Sequence, residues 1–457
     1  MSPKNALQNN LQAALASRED RWIRRRLPDP NASSSSSPLV DFNTNDYLSL
    51  SNSSKLRSHF LQKLSEAPDV LGSGGSRLLV NGRAHAALEA RLADFFGAET
   101  ALLFNSGFDA NVGFFSCIPQ AGDVVVCDEY IHASVHDGVR GSRARNAQFS
   151  FSHNSLADLR VLLCRLKEER PALRSGANSL FLAVESLYSM DGTFAPLTEM
   201  VDILEDMFPL KNAYLVVDEA HSTGIYGPQG RGRVAMLGLE DRVLARLHTF
   251  GKALAATGAV ILTSTLIRDY LLNYARSLIY TTSLSYANII AADCSFDMLT
   301  DGTAQHPPVD QCLIDIQLSA HLLDLSSYFV NTLLPLLEAK DIPQTLVSLP
   351  SHLQPSSHNR FNESPSPIIP VLTPHPRPLS AYLLALGMNA RPITWPTVPK
   401  GLDRVRVCLH AGNSREDIDR LIQGIIGWAL ETMKSAPLAE IRERERYPRL
   451  DMVESKL

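Results

Sequence analysis

The sequence predicts an α/β protein: a mostly parallel central sheet flanked by helices, followed by a smaller α+β unit. Three observations carry that prediction. From Ala101 onward short apolar runs alternate with helical stretches, the pattern of strands joined by crossover helices. The run Tyr214 to Val217 ends in Asp218, and a second run, Arg246 to Phe250, delivers Gly251 and Lys252. Charged groups at the C-terminal ends of buried strands stand where open α/β sheets place ligands. Near Asp301 the composition shifts: HPPVD breaks the chain, a long helical stretch runs from Ile314 to Lys340, and PIIPVLT resumes a strand. The expected organisation is an N-terminal helix and arm over 1–52, a large unit over 53–300, a small unit over 301–440 and a tail over 441–457.

Composition narrows the classes. A chain of 457 residues buries more than one core's worth of apolar surface. Hydrophobic residues make 45% and charged residues 20%, which is ordinary globular usage. A net charge of −5 argues against general nucleic-acid binding. No apolar run reaches the roughly 20 residues that span a bilayer. Cys117, Cys127, Cys164, Cys294, Cys312 and Cys408 have neither metal-ligand nor disulfide-framework spacing, so no metal is expected and all six read as buried thiols in a reducing compartment. The N-terminus lacks the continuous apolar core of a secretory signal. Ser455-Lys456-Leu457 matches a peroxisomal address, which predicts recognition by the peroxisomal import receptor and a peroxisomal location, otherwise a cytoplasmic one.

Taken in order, Leu11 to Arg26 has helical spacing through Leu11, Ala14, Leu15, Trp22 and Ile23, and Pro28 stops it. Arg24 and its two neighbours read as a solvated face. Ser33 to Ser37 reads as a flexible loop. Gly72, Gly74 and Gly75 permit tight turns, and His85 to Phe96 reads as an amphipathic helix ended by Gly97. ALLF is a strand, after which Ser106-Gly107-Phe108 opens a helix. Backbone N–H groups at a helix N-terminus favour a phosphate, and Ser106 equally suits an N-cap. DVVVCD is the next strand, with His132 placed at its end. The strand Leu180 to Val184 ends in Glu185, Tyr188 to Gly192 turns away, and Pro196 begins a helix. Tyr280, Thr281 and Thr282 are hydroxyl donors suited to phosphate oxygens, or part of a Thr-rich strand. Residues 349–367 read as a surface loop.

The chemistry concentrates between Asn212 and Ala259. Pyridoxal phosphate enzymes need a lysine to hold the cofactor and a carboxylate against its pyridinium nitrogen. Lys252 and Asp218 fit those roles, and His221, three residues beyond Asp218, can orient the carboxylate or meet the ring oxygen. The plainer alternative is a helix-capping Asp218 and a surface Lys252.

DEAHSTGIYGPQGRG followed by TFGKALAATGA resembles the α-oxoamine synthases, and the resemblance runs from about Arg24 to about Gly427. It implies the pyridoxal-phosphate-dependent transferase fold type I, like aspartate aminotransferase, and an acyltransferase that condenses an amino acid with an acyl-CoA thioester and loses CO2. The branch resembled most joins L-alanine to pimeloyl-CoA in biotin biosynthesis, and a peroxisome could supply that thioester by shortening longer acyl chains. The absence of a long apolar run weighs against the membrane-anchored serine palmitoyltransferase branch.

By the same resemblance Lys252 holds the cofactor and moves the Cα proton, while Asp218 and His221 meet the ring. His132 stacks on its face, Ser189 bonds near the ring oxygen or the substrate, and Thr249 lies in the TFGK contact segment. Ser106, Gly107 and Phe108 receive the phosphate. Tyr280, Thr281 and Thr282 reach the phosphate of a neighbouring subunit, which implies a homodimer with a shared site. Arg24 and Arg406 reach the substrate, Arg406 as the carboxylate clamp, and Thr397 lines the acyl pocket. Two departures from the family pattern bear on the acyl group. Ile393-Thr394-Trp395 stand before Pro396 where an Arg is usual, leaving Arg391 as the nearest, and Asn413 replaces a common His. The rivals are glycine with acetyl- or succinyl-CoA, a secondary-metabolite acyl thioester, or a non-catalytic binding module.

Overall fold

The computed structural model describes residues 5–21, 23–27, 39–300, 318–354 and 365–435. The Ser33 to Ser37 run, Trp22, Pro28, Cys312, the HPPVD break, the start of the Ile314 to Lys340 stretch and the tail with Ser455-Lys456-Leu457 lie outside the described residues.

Among the described residues twelve strands form three sheets. They are β1 (Val40–Asp41), β2 (Thr100–Phe104), β3 (Val124–Asp128), β4 (Gln148–Phe151), β5 (Leu180–Glu185), β6 (Ala213–Asp218), β7 (Ala245–Thr249), β8 (Ala259–Thr263), β9 (Ile368–Leu372), β10 (Met388–Asn389), β11 (Arg391–Ile393) and β12 (Arg404–Cys408). The central sheet has the order β2-β8-β7-β6-β5-β3-β4, and β8 runs antiparallel to both its neighbours while the other pairings are parallel. That is the predicted mostly parallel α/β sheet. Strands β3, β5 and β6 are nearly continuous apolar runs that end in a carboxylate, as expected of strands with both faces covered. Leu215 and Val217 of β6 are buried, each contributing roughly 1.5–3 kcal/mol by leaving water.

The expected strand Arg246 to Phe250 lies one residue earlier, as β7, because Phe250 already turns away to pack in the core. The helix expected from Pro196 begins at Leu197, with Pro196 as its N-cap.

Helices follow the local signals. Helix α1 (Ala6–Asp20) both starts and ends before the expected Leu11 to Arg26 stretch: Arg21 ends it by donating both its backbone N–H and its Nε to the Ser17 carbonyl. Leu7, Leu11 and Leu15 on this helix are exposed. Helices α2 (Ser54–Glu66) and α3 (Arg83–Phe96) come next. Gly97 ends α3 at φ +60°, a left-handed value natural to glycine. Helix α4 (Gly107–Cys117) is capped by Ser106, and α5 (Ala133–Gly141) by His132. His132 therefore lies beyond the end of β3, at a helix start, because Asp128 closes the strand by accepting the Tyr130 N–H. Among the cysteines Cys164 is exposed, against expectation: it falls on the outer face of the 156–169 helix, whose leucines point inward.

Strands β11, β12 and β9 form an antiparallel sheet, and β1 pairs in parallel with β10. One apolar cluster runs from Phe42 and Leu92 through Phe296 and Phe329 to Ile369 and Ile425, so this sheet shares core with the helices of the larger one. The tightest junction is the turn after β5. Arg404, fully buried, donates to Asp191 Oδ1 at 2.5 Å and to the Met190 carbonyl at 3.1 Å. Gly192 sits at φ +67°, and a Cβ there would lie 2.0 Å from the Ile368 carbonyl oxygen. Replacing Gly192 by alanine is expected to cost at least about 2 kcal/mol, from strain plus displaced backbone. Chemical denaturation would read this as a lower midpoint.

Candidate active site

The ends of β5, β6 and β7 and the N-terminus of α4 enclose a cavity of about 190 Å³. It is lined by Gly107, Asn111, His132, Asp218, Thr249 and Lys252, with Phe108, Glu185, Ala220 and His221 completing the wall. Each lining strand contributes its last residues because a parallel sheet points all its C-terminal ends the same way.

Asp218 closes β6. Its Oδ1 accepts the Ala220 N–H at 2.9 Å and its Oδ2 accepts from Asn111 Nδ2 at 2.8 Å. Asn111 also donates to Ser134 Oγ at 3.0 Å, and Ser134 Oγ lies 2.7 Å from His132 Nδ1. The Ser134 N–H donates to the same Nδ1 at 3.3 Å. With Nδ1 accepting, the proton of the neutral ring belongs on Nε2. Desolvation lowers the proton affinity of His132; Asp218 opposes this and Lys252 adds to it. A polar chain thus runs from the carboxylate in the cavity wall to the histidine at its mouth.

Lys252 lies in the turn between β7 and β8. Its accessible surface is only partly covered, yet protein atoms crowd the amine, and desolvation pushes it down to about 8. Arg406 adds to that lowering, while Asp218 and Glu185 oppose it. His221 is buried, with Nδ1 2.7 Å from Tyr47 Oη, and burial together with Lys252, Arg406 and His132 holds it neutral, well below its ordinary range. Arg406 on β12 donates through Nε to the Ser189 carbonyl at 2.6 Å and through Nη2 to Asn45 Oδ1 at 3.0 Å and Tyr47 Oη at 3.4 Å. Its Nη1 has no protein partner among the described residues. Ser189 N–H donates to Glu185 Oε2 at 3.3 Å, so Ser189 bridges the cavity wall to the arginine.

At the other end of the cavity, Ser106 Oγ caps α4 by accepting the Asp109 N–H at 3.1 Å. A Cβ on Gly107 would lie 3.4 Å from Thr249 Cβ, an ordinary contact, so the first turn of α4 packs directly beside Thr249. The Phe108 and His132 rings meet edge-on at 6.5 Å. Asn105 Nδ2 ties this end to the loop after the 276–279 helix, donating to Thr281 Oγ1 at 3.3 Å and to the Thr282 carbonyl at 2.7 Å. Tyr280 is exposed with the Arg276 guanidinium 4.8 Å above its ring, and these residues form a loop rather than a strand.

The structure therefore gathers Gly107, Phe108, His132, Asp218, His221, Thr249 and Lys252 at one cavity, with Ser106, Ser189 and Arg406 at its edge. Two other expected residues, Arg24 and Thr397, stand elsewhere. Arg24 is exposed and pairs with Glu19 at 3.3 Å. Thr397 is exposed on a turn, its N–H bonded to the Thr394 carbonyl. Asn413 closes the turn after β12 by accepting the His410 N–H at 2.8 Å. Sequence reasoning missed Asn45, Tyr47, Asn111, Ser134 and the role of Glu185. One signal was available for Asn111: an amide beside Ala110 and Phe114 on the apolar face of a buried helix.

Away from the cavity, His59, Cys294 and Asp297 bring donor atoms within 4.8 Å of one another. Lys63 and Arg91 already lie 2.6 and 2.9 Å from the Asp297 carboxylate and balance its charge.

The residues fit pyridoxal phosphate. An amine readily neutral near pH 8, a carboxylate across the cavity from it, a stacking imidazole at the mouth and a helix N-terminus for a phosphate are the parts such a cofactor requires. Fold and site together define a pyridoxal-phosphate-dependent enzyme of fold type I.

Comparison with known proteins agrees. Residues 37–303 match the model of the aminotransferase class I and II family, and the chain belongs to that family. It is 44% identical over 430 residues to 8-amino-7-oxononanoate synthase of Emericella nidulans, covering 93% of this chain and 97% of the relative. It is 37% identical to aminoacyl transferase sphA of Byssochlamys spectabilis, covering 90% of this chain and 84% of the relative. Among solved structures, serine palmitoyltransferase of S. paucimobilis superposes with TM-score 0.73 at 23% identity, covering 94% and 100% of the two chains, a likeness of fold. 8-Amino-7-oxononanoate synthase of Francisella tularensis gives TM-score 0.61 at 24% identity, covering 86% and 99%. The chain is thus a pyridoxal-phosphate-dependent acyltransferase of the α-oxoamine synthase kind.

Proposed function

We propose that this enzyme condenses L-alanine with pimeloyl-CoA, releasing CoA and CO2, to give 8-amino-7-oxononanoate. The observation that supports it most is the 44% identity to an 8-amino-7-oxononanoate synthase over nearly the whole of both chains. When bound, pyridoxal phosphate supplies an electron sink for negative charge at the amino acid's Cα. Arg406, through Nη1, holds the amino-acid carboxylate in a charge-assisted contact, steadied by Ser189, Asn45 and Tyr47. Lys252, whose amine burial brings down to about 8, removes the Cα proton. Asp218, fixed by the Asn111 amide and the Ala220 N–H, is the carboxyl group that would meet the cofactor's ring nitrogen. His132 lines the cavity with Nδ1 engaged by Ser134, which would leave Nε2–H to donate to a bound substrate.

The experiment is direct: the protein is incubated with pyridoxal phosphate, L-alanine and pimeloyl-CoA, and free CoA is followed. Glycine and shorter acyl-CoAs run in parallel. Release with alanine and pimeloyl-CoA alone supports the assignment; release only with another pair overturns the substrates and keeps the chemistry. A second reading is a dedicated secondary-metabolite acyl thioester. The sphA relatives favour it, as do the Thr394-Trp395 departure and the exposure of Thr397.

The proposal includes a homodimer. Leu71, Leu78, Leu79 and Tyr280 are exposed on segments linked by the hydrogen bonds from Ser283 to Gly75 and from Tyr286 to Leu71. Light scattering on the eluted protein tests the twofold mass.

One pH dependence follows from Lys252. The amine must be neutral to add to the cofactor's aldehyde, and it loses its proton near pH 8, below the ordinary lysine value of 10.5. Capture of pyridoxal phosphate by the apoprotein should rise about tenfold per pH unit below that point and level off above it. Stopped-flow absorbance checks this, and a rate still climbing at pH 10 would contradict it.

A further inference from the structure

Glu185 is a carboxyl for which the proposed cycle has no task. It closes β5, is only 3% exposed, and is in register with Asp218 on the neighbouring parallel strand. In-register residues on strands ~4.8 Å apart present their side chains on the same face, so two carboxyls stand together in the cavity wall. They are not equally supported. Asp218 accepts two N–H donors at 2.8 and 2.9 Å, which favours its ionised form. Glu185 accepts one, from Ser189 at 3.3 Å, and its other oxygen, Oε1, is buried with no hydrogen-bond partner. Leaving a carboxylate oxygen buried and bare is costly, whereas a hydroxyl there can donate once an acceptor arrives.

The charges facing Glu185 are Asp218, Lys252 and Asp128, with Arg406 and the Tyr188 phenol also in reach. Burial first, and the Asp218 charge second, raise Glu185 well above the usual carboxylate range; Lys252 and the Ser189 N–H oppose this. Two like charges this close do not both ionise.

We propose that Glu185 is held as a neutral carboxylic acid whose Oε1–H donates to an anionic oxygen bound in the cavity, while Asp218 carries the charge of the pair. This builds on the cofactor assignment above. The acceptor is either the ring oxygen of pyridoxal phosphate or the carboxylate of the amino acid, which share the same chemistry. The arrangement also spares Lys252 a second nearby anion, which would hold its proton on.

Two variants and two measurements test it. The infrared difference between apoprotein and Glu185→Gln at pH 7 should contain a protonated-carboxyl band. Finding only carboxylate bands overturns the proposal whether or not the cofactor binds, which separates its failure from failure of the cofactor assignment. Binding is then titrated, first with pyridoxal phosphate alone and then with L-alanine on the loaded protein. Glu185→Gln, which keeps a donor, should stay within about threefold of the wild type, and Glu185→Leu should weaken one titration at least tenfold. A loss with pyridoxal phosphate identifies the ring oxygen as acceptor, and a loss with L-alanine alone identifies the carboxylate. A Leu variant equal to wild type in both, or a Gln variant weakened as much as Leu, overturns the proposal. Should the Leu variant fail to fold, the infrared band and the Gln titrations decide.

Discussion

Replacing Lys252 by alanine is expected to lower turnover at least about 10³-fold while leaving the fold intact. The amine sits at the cavity between two strand ends, and no second lysine lines that wall. Pyridoxal phosphate should still bind the variant, because the α4 N-terminus, Thr249 and His132 are untouched, but the absorbance band near the visible edge that marks its bond to lysine should be missing. Stability should hold or rise slightly, since the substitution removes an amine that burial already disfavours as a cation. Turnover above a few per cent of wild type would mean that another base serves the Cα proton. It would also return weight to a non-catalytic role for this lysine.

The second large effect is expected at Asp218. Asp218→Ala removes the charge opposite the ring nitrogen and should lower kcat about 10²–10³-fold with a smaller change in KM, the signature of an interaction spent on the transition state. Asp218→Asn is the more informative variant. Its Oδ1 can still accept the Ala220 N–H, but its amide then faces the amide of Asn111, donor against donor. Asn111 relieves that clash by turning over, which points its oxygen at Ser134 Oγ. The Ser134 hydroxyl must then stop donating to His132 Nδ1. A change at the carboxylate should therefore reach an imidazole three hydrogen bonds away. Nitrogen NMR of His132 would show a shifted Nδ1 signal, from an atom that loses the Ser134 hydroxyl and keeps the Ser134 N–H, in Asp218→Asn and not in Asp218→Ala. An unchanged imidazole in Asp218→Asn would show that the chain does not transmit.

Much of this site was legible because it is written along single strands. An apolar run that ends in a charge declares both the strand and its ligand-facing end, which is why Asp218 and the turn carrying Lys252 could be read directly. Residues whose meaning depends on who comes alongside could not. Asn111 meets Asp218 across 107 positions of chain, and only the packing of α4 over the ends of β6 and β7 brings them together. Tyr47 reaches His221 across 174. Conversely, Arg24 carried a likeness in its neighbourhood but is held by a local partner, Glu19, five positions earlier. Thr397 kept its motif while its turn leaves it exposed. The earlier end of the first helix had a physical cue, the Arg21 side chain folding back on the Ser17 carbonyl, that periodicity alone does not carry.

The turn from Ser189 to Gly192 has one more implication, for building hybrids of this enzyme. Its backbone receives Arg406, its aspartate receives Arg404, and its glycine leaves no room above the Ile368 carbonyl. A recombinant that takes its C-terminal portion from a relative would inherit both arginines and Ile368 from one parent and their socket from the other. Such a crossover should succeed when the short stretch after β5 travels with the C-terminal portion. A hybrid that keeps the host's stretch would present its substrate arginine at a displaced angle, however well the two portions fold.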